Sequence, residues 1–138
     1  MSFLLDTCVV SEFSKPAPSA KVLRWVDEQP DQNLFISAIT FGEIQKGIAT
    51  LPHGRKRQIL ETFLKNTLET FDGRILPLDR EICLQWGTLR GLMQLKGRSA
   101  PVVDAFFAAT GLVHRLTLVT RNVTDFERTG VEIFNPWE

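Results

Sequence analysis

The sequence predicts an α/β fold in which a parallel sheet carries helices on both faces. Three observations support this. Short apolar runs suited to buried strands alternate along the chain with longer stretches of helical spacing. Recognisable caps and breakers bound those stretches, Ser19, Pro52 and Asp79 among them. No repeat, low-complexity tract or long linker interrupts the 138 residues, so residues 1–138 are expected to form one domain with its own core.

The first element is the run Ser2-Phe3-Leu4-Leu5, too brief for a helix and apolar enough for a strand buried on both faces. A helix then starts at Asp6-Thr7 and runs through Val9, Val10 and Phe13 until Lys15-Pro16-Ala17-Pro18 breaks it. Ser19 caps a second helix with Val22, Leu23, Trp25 and Val26, ending near Gln29-Pro30, and Asn33–Ile36 is a second strand. Ser37 or Thr40 opens a helix bearing Phe41, Ile44, Ile48 and Leu51, with Glu43 in its early turns. Pro52-His53-Gly54 turns the chain, and Ile59, Leu60, Phe63, Leu64 and Leu68 mark a partner helix to about Thr70. Together these two helices form a helical hairpin arm.

Arg74–Leu78 is a short edge strand closed by Pro77, and Asp79 caps a helix with Ile82, Trp86, Leu89, Leu92 and Leu95. A polar link, residues 96–99, leads to the stretch Ala100–Gly111. Its apolar residues fall on every face, so this helix is buried all round and ends at Gly111. Leu116–Val119 is a β-branched strand, Thr120–Phe126 a loop rich in polar groups, and Val131–Phe134 the last strand.

Composition narrows the function classes. No apolar run approaches a bilayer's thickness and the start carries no charged leader, which favours the cytoplasm and excludes a membrane role. Cys8 and Cys83 lie in apolar surroundings without metal-ligand spacing and are expected to be buried free thiols; His53 and His114 are too isolated for zinc. Net charge is zero, from 16 basic and 16 acidic residues. Gathering four acids around a metal would leave the rest with a positive excess of four, compatible with a phosphate-rich partner.

Asp104 is the anomaly, an ionisable carboxylate inside the most apolar helix. Unpaired burial costs several kcal/mol, so it must be protonated, hydrogen-bonded or bound to a cation. In open α/β sheets ligands gather beyond the carboxyl ends of the strands. Asp6 ends the first strand, and Thr120, Asn122 and Asp125 follow the fourth. The helix starts that carry Glu43 and Asp104 face the same edge. Each residue also has a plain structural explanation: Asp6 and Asp125 as caps or turn residues, Glu43 as a solvated helix position, Asp104 as a partner of the helix dipole. Joint placement favours chemistry. Crowded carboxylates need a counter-charge, and an oxygen-only set selects Mg²⁺ or Mn²⁺, implying metal-assisted phosphodiester hydrolysis. Lys46, Arg55, Lys56, Arg57, Arg90 and Arg98 are candidate phosphate contacts, although Arg55–Arg57 better suit a solvated helix start. Trp86 and Phe63 suit packing or dimerisation better than base stacking.

These residues carry a resemblance. Leu4-Leu5-Asp6-Thr7, Glu43 within Phe41–Gly47, Asp104–Thr110 and Leu118–Phe126 together resemble the PIN-domain proteins across essentially the whole chain. The VapC-type toxins of bacterial toxin–antitoxin pairs, with the related FitB branch, are the nearest subgroup. The resemblance implies a PIN-like three-layer α/β/α fold with a central, mostly parallel five-stranded sheet, usually dimeric. It also implies a Mg²⁺- or Mn²⁺-dependent endoribonuclease acting on tRNA or another RNA of translation. By position Asp6, Glu43 and Asp104 match the three core acids and Asp125 a more variable fourth, with Thr7, Thr120 and Asn122 supporting. Asn122 is a departure, because relatives often have Asp there. A VapB-like antitoxin would cover the active-site groove and alone contact promoter DNA. A FitB-like subunit acting mainly in such a DNA-bound complex is the alternative. Haloacid dehalogenase phosphatases and receiver domains share the layout, but the first needs an Asp where Cys8 stands and the second needs paired acids that are missing.

Overall fold

The computed structural model describes residues 1–138. Five strands make one sheet in the order β3-β2-β1-β4-β5: β1 (Phe3–Leu5), β2 (Leu34–Ser37), β3 (Ile75–Leu76), β4 (Thr117–Val119) and β5 (Ile133–Phe134). Every pairing is parallel, so the sheet is wholly rather than mostly parallel. Central β1 sets Leu5 opposite Ile36 of β2 and Val119 of β4. The chain builds outward from β1 to β3, then returns to β1's other side for β4 and β5. The β1/β4 boundary is therefore the point where strand order reverses, and a crevice belongs at its carboxyl end.

The connecting helices are α1 (Thr7–Glu12), α2 (Ala20–Glu28), α3 (Ala38–Ala49), α4 (Arg55–Thr70), α5 (Arg80–Leu95), α6 (Val102–His114) and α7 (Val123–Phe126). Alternation along the strands divides the core. Phe3, Leu5, Ile36 and Val119 pack with Val9 and Val10 of α1, Val22 of α2 and Phe41 of α3. On the other face Leu4 and Leu118 meet Ile82 and Leu89 of α5, Phe107–Ala109 of α6 and Phe126 of α7. The result is three layers.

Sequence-expected caps are in place: Ser19 Oγ accepts from Val22 N–H, Ser37 Oγ from Ile39 N–H and Asp79 Oδ1 from Ile82 N–H. The α3–α4 hairpin closes around Pro52, where Arg57 donates to the Leu51 carbonyl at 2.9 Å. Trp86 is a packing residue, stacked on Phe106 at 4.8 Å with its Nε1–H donated to the Val102 carbonyl.

Three expectations change. Gly111 does not end α6, which continues to His114 and stops at Arg115, the chain's one non-glycine residue with positive φ (56°). Gly111 serves packing instead, since a Cβ there would lie 2.5 Å from Val131 Cγ2. Cys83 is exposed, on the solvent side of α5, and Cys8 is half-buried rather than enclosed. The loop after β4 folds into the single turn of α7, starting beyond Asn122.

Candidate active site

The site lies where β1 and β4 end. Asp6 follows β1 directly, and its N–H continues the ladder by donating to Val119 O at 3.0 Å. Its buried carboxylate (6 % exposed) has two engagements. Oδ1 accepts from Thr7 N–H at 2.7 Å and so caps α1. Oδ2 accepts from the Thr120 hydroxyl at 2.7 Å, across the strand-order reversal. Thr120 is oriented in turn by Asn122 N–H, which donates to Oγ1 at 3.0 Å. Capping and site-building are thus compatible, because each uses a different oxygen. Burial raises the Asp6 pKa above its ordinary value despite the donors at Thr120 and Thr7, and the charge of Asp125 adds to the rise.

Glu43 arrives from α3. Its Oε1 accepts from the Thr7 hydroxyl at 2.6 Å, and Thr7 Oγ1 also meets Thr40 Oγ1 at 3.0 Å. Thr7 therefore supports the site with both backbone and side chain, one toward Asp6 and the other toward Glu43.

Asp104 lies in the first turn of α6, after Pro101, and is half-buried. Burial, then the charges of Asp125, Asp6 and Glu43, push its pKa up to about 6, with no donor opposing them. All four predicted acids are thus electrostatic neighbours. As the side chains stand, no three of them group closely enough to hold a metal ion. Mg²⁺ keeps several waters and typically takes only one or two carboxylates directly, so the fit rests on the chemistry of the donors rather than on a formed cage. The donors are all oxygen and lack a counter-charge, so the residues present fit a hard divalent cation. Asp125 and Asn122 are both exposed at the start of α7, where either could reach the same opening.

The basic residues divide. Lys56 lines a groove of about 320 Å³ together with Thr7, Ser11, Ser14 and Glu43. Arg57 is engaged by Leu51 O and Glu61, and Arg90 by Ala100 O and the Trp86 ring. Lys46, Arg55 and Arg98 are exposed. A separate concavity of about 710 Å³ contains none of the four acids; Leu23, Val26, Leu34, Phe63 and Phe71 make it apolar. It suits an apolar partner segment better than a phosphate backbone.

Sequence reasoning overlooked three neighbours of the site. Thr40 is fully buried against Thr7, and its spacing three residues before Glu43 was a usable signal. Cys8 Sγ donates to Asp6 Oδ2 at 3.5 Å; burial and the Asp6 charge push the thiol up to about 11, so it stays protonated at neutral pH. Arg121 stands 4.2 Å over the Trp137 ring, a long-range contact that no local pattern announces.

Comparison with known proteins agrees with this geometry. The PIN domain profile matches residues 3–132. VapC ribonuclease Y4jK of Sinorhizobium fredii is 36 % identical over 136 residues, 98 % of this chain and 97 % of the relative. Toxin FitB of Neisseria gonorrhoeae is 36 % identical over 135 residues, covering 97 % of both chains. Among solved structures, FitAB bound to the IR36 DNA fragment superposes with a TM-score of 0.90 at 34 % identity, over 99 % of this chain and 96 % of that one. Profile, identity and architecture agree along nearly the full length: the chain belongs to the PIN domain family.

Proposed function

We propose that this chain is a divalent-metal-dependent endoribonuclease and the toxin of a toxin–antitoxin pair. One observation carries the reading: a buried carboxylate, Asp6, is locked across the strand-order reversal beside Asp104, whose charge meets only further carboxylates. Mg²⁺ or Mn²⁺ would be held by Asp6, Asp104, Glu43 and Asp125, and such an ion, when bound, lowers the pKa of water and neutralises charge on a phosphate under attack. Thr120 and Thr7 N–H hold the Asp6 oxygens, and Thr7 Oγ1 holds Glu43. Asn122 holds Thr120 through its amide and offers a side-chain carbonyl without charge. Lys56, in the groove that reaches Glu43, is placed to meet the phosphate backbone of RNA, with exposed Lys46 on the same helix as Glu43.

The named relatives extend the reading to partners. One is called a ribonuclease, one a toxin, and the superposed FitAB structure holds DNA. A cognate antitoxin covering the acidic groove with an arginine would supply the missing counter-charge, and its apolar segment suits the 710 Å³ groove. Promoter DNA would be reached through that partner. The substrate proposed is tRNA or another RNA of translation, cut by a cytoplasmic homodimer. The test is cleavage of total RNA by purified protein with Mg²⁺ or Mn²⁺, with EDTA, and with Asp104→Asn. Cleavage only by wild type with metal is expected; equal cleavage by the variant overturns the assignment.

A further inference from the structure

Thr40 lies in the first turn of α3, three residues before Glu43, and is completely buried. A threonine inside a helix commonly satisfies its hydroxyl by donating to the carbonyl one turn earlier. Thr67, Thr70 and Thr110 do this, to Phe63, Asn66 and Phe106. Thr40 does not. Its hydroxyl meets that of Thr7, 33 residues away on α1, at 3.0 Å.

Counting protons fixes the direction of this chain of hydrogen bonds. Thr7 has a single hydroxyl proton, and a carboxylate can only accept. The 2.6 Å contact to Glu43 Oε1 therefore takes the Thr7 proton. In the remaining contact Thr40 must donate and Thr7 accept. A hydroxyl that accepts one hydrogen bond while donating another is held in one rotamer, and each bond polarises the next.

We propose that Thr40 is a positioning residue of the active site: its buried hydroxyl locks the Thr7 side chain and, through it, the orientation of the Glu43 carboxylate. What the orientation is for rests on the nuclease reading above; the relay itself does not. Thr40 touches neither substrate nor metal. It acts through Thr7, joining the helix that carries Asp6 as its cap to the helix that carries Glu43.

The test compares Thr40→Val, which keeps the shape and loses the hydroxyl, with Thr40→Ser, which keeps the donor. The first readout is the Thr7 χ1 angle from three-bond couplings to its methyl carbon in metal-free protein. Wild type and Thr40→Ser are expected to show one rotamer, and Thr40→Val averaging between rotamers. The second is Mn²⁺ affinity by calorimetry and the third RNA cleavage. Both should weaken about 10-fold in Thr40→Val, as is usual when a group that orients a metal ligand is lost, and return in Thr40→Ser. Melting should stay within a few degrees of wild type. An unchanged Thr7 rotamer in Thr40→Val overturns the proposal, as does a Thr40→Ser variant no better than Thr40→Val. Averaged Thr7 with unaltered Mn²⁺ affinity also overturns it. A wild type that binds Mn²⁺ yet cuts no RNA removes the nuclease reading alone, and the relay is then decided by rotamer and affinity.

Discussion

The two ends of α1 each hold a carboxylate with little exposure, and they are treated in opposite ways. At the C-terminal end Glu12 accepts from Lys15 Nζ at 2.9 Å and from Ser19 N–H at 2.8 Å. Those bonds, Lys15 first, hold its pKa below the ordinary carboxylate value. At the N-terminal end Asp6 is pushed up by burial, and Asp104 beside it is pushed up to about 6 by burial and by like charges. Glu12 is a finished interaction that fastens the α1–α2 connection. The Asp6–Asp104 region has no such cationic partner, and its carboxylates stay uncompensated. A covered acid is informative about function when its surroundings penalise its charge, not when they satisfy it.

Removing the uncompensated carboxylates gives the largest expected effect. Asp6→Ala or Asp104→Ala should lower RNA cleavage by roughly 1,000-fold or more and abolish growth arrest, with the far-UV circular dichroism spectrum retained. Growth arrest at normal expression by either variant would break the comparison. Cation addition comes next. Saturating Mn²⁺ at about 100 times its dissociation constant should stabilise wild type by about 2.7 kcal/mol, read as a higher melting temperature, and Asp104→Asn should lose most of that gain.

Glu12→Ala should do the reverse of Asp104→Ala. Melting falls by roughly 5 °C through loss of two charge-assisted bonds, while cleavage per folded molecule is unchanged.

The pH dependence sharpens the contrast because the signs oppose. Asp104 binds its proton more tightly folded than unfolded, so without metal its contribution to stability falls as pH rises from about 4 through about 6. Glu12 binds its proton less tightly folded, so its contribution is lost as pH drops below the ordinary 4.5. Denaturant titrations from pH 3 to 8 should show Asp104→Asn flattening the upper limb and Glu12→Gln the lower. The smallest effect belongs to Lys15→Ala. Its ammonium is half exposed, so at most about 1 kcal/mol is expected, because Ser19 N–H still serves Glu12.

Much of this architecture is local and hence readable. The strand around Leu4-Leu5, the caps at Ser19 and Asp79 and the turn at Pro52 each depend on a few adjacent residues, and the structure has them where expected. Gly111 misled because a glycine in a helix has two meanings. Here the close approach of Val131, 20 positions later, decides between them. Cys83 misled because apolar neighbours in sequence say nothing about which side of α5 faces water.

By itself the sequence determined the parallel α/β layering and the carriers of Asp6, Glu43 and Asp104, since periodicity, capping and strand-to-helix order are properties of neighbouring residues. Only the tertiary structure decided that Thr120 reaches Asp6 over 114 positions, that Thr7 joins Asp6 to Glu43, and that Thr40 stands behind Thr7. The reason is physical. A hydroxyl's role depends on which donor or acceptor lies within about 3 Å of it, and packing between distant elements alone sets that distance.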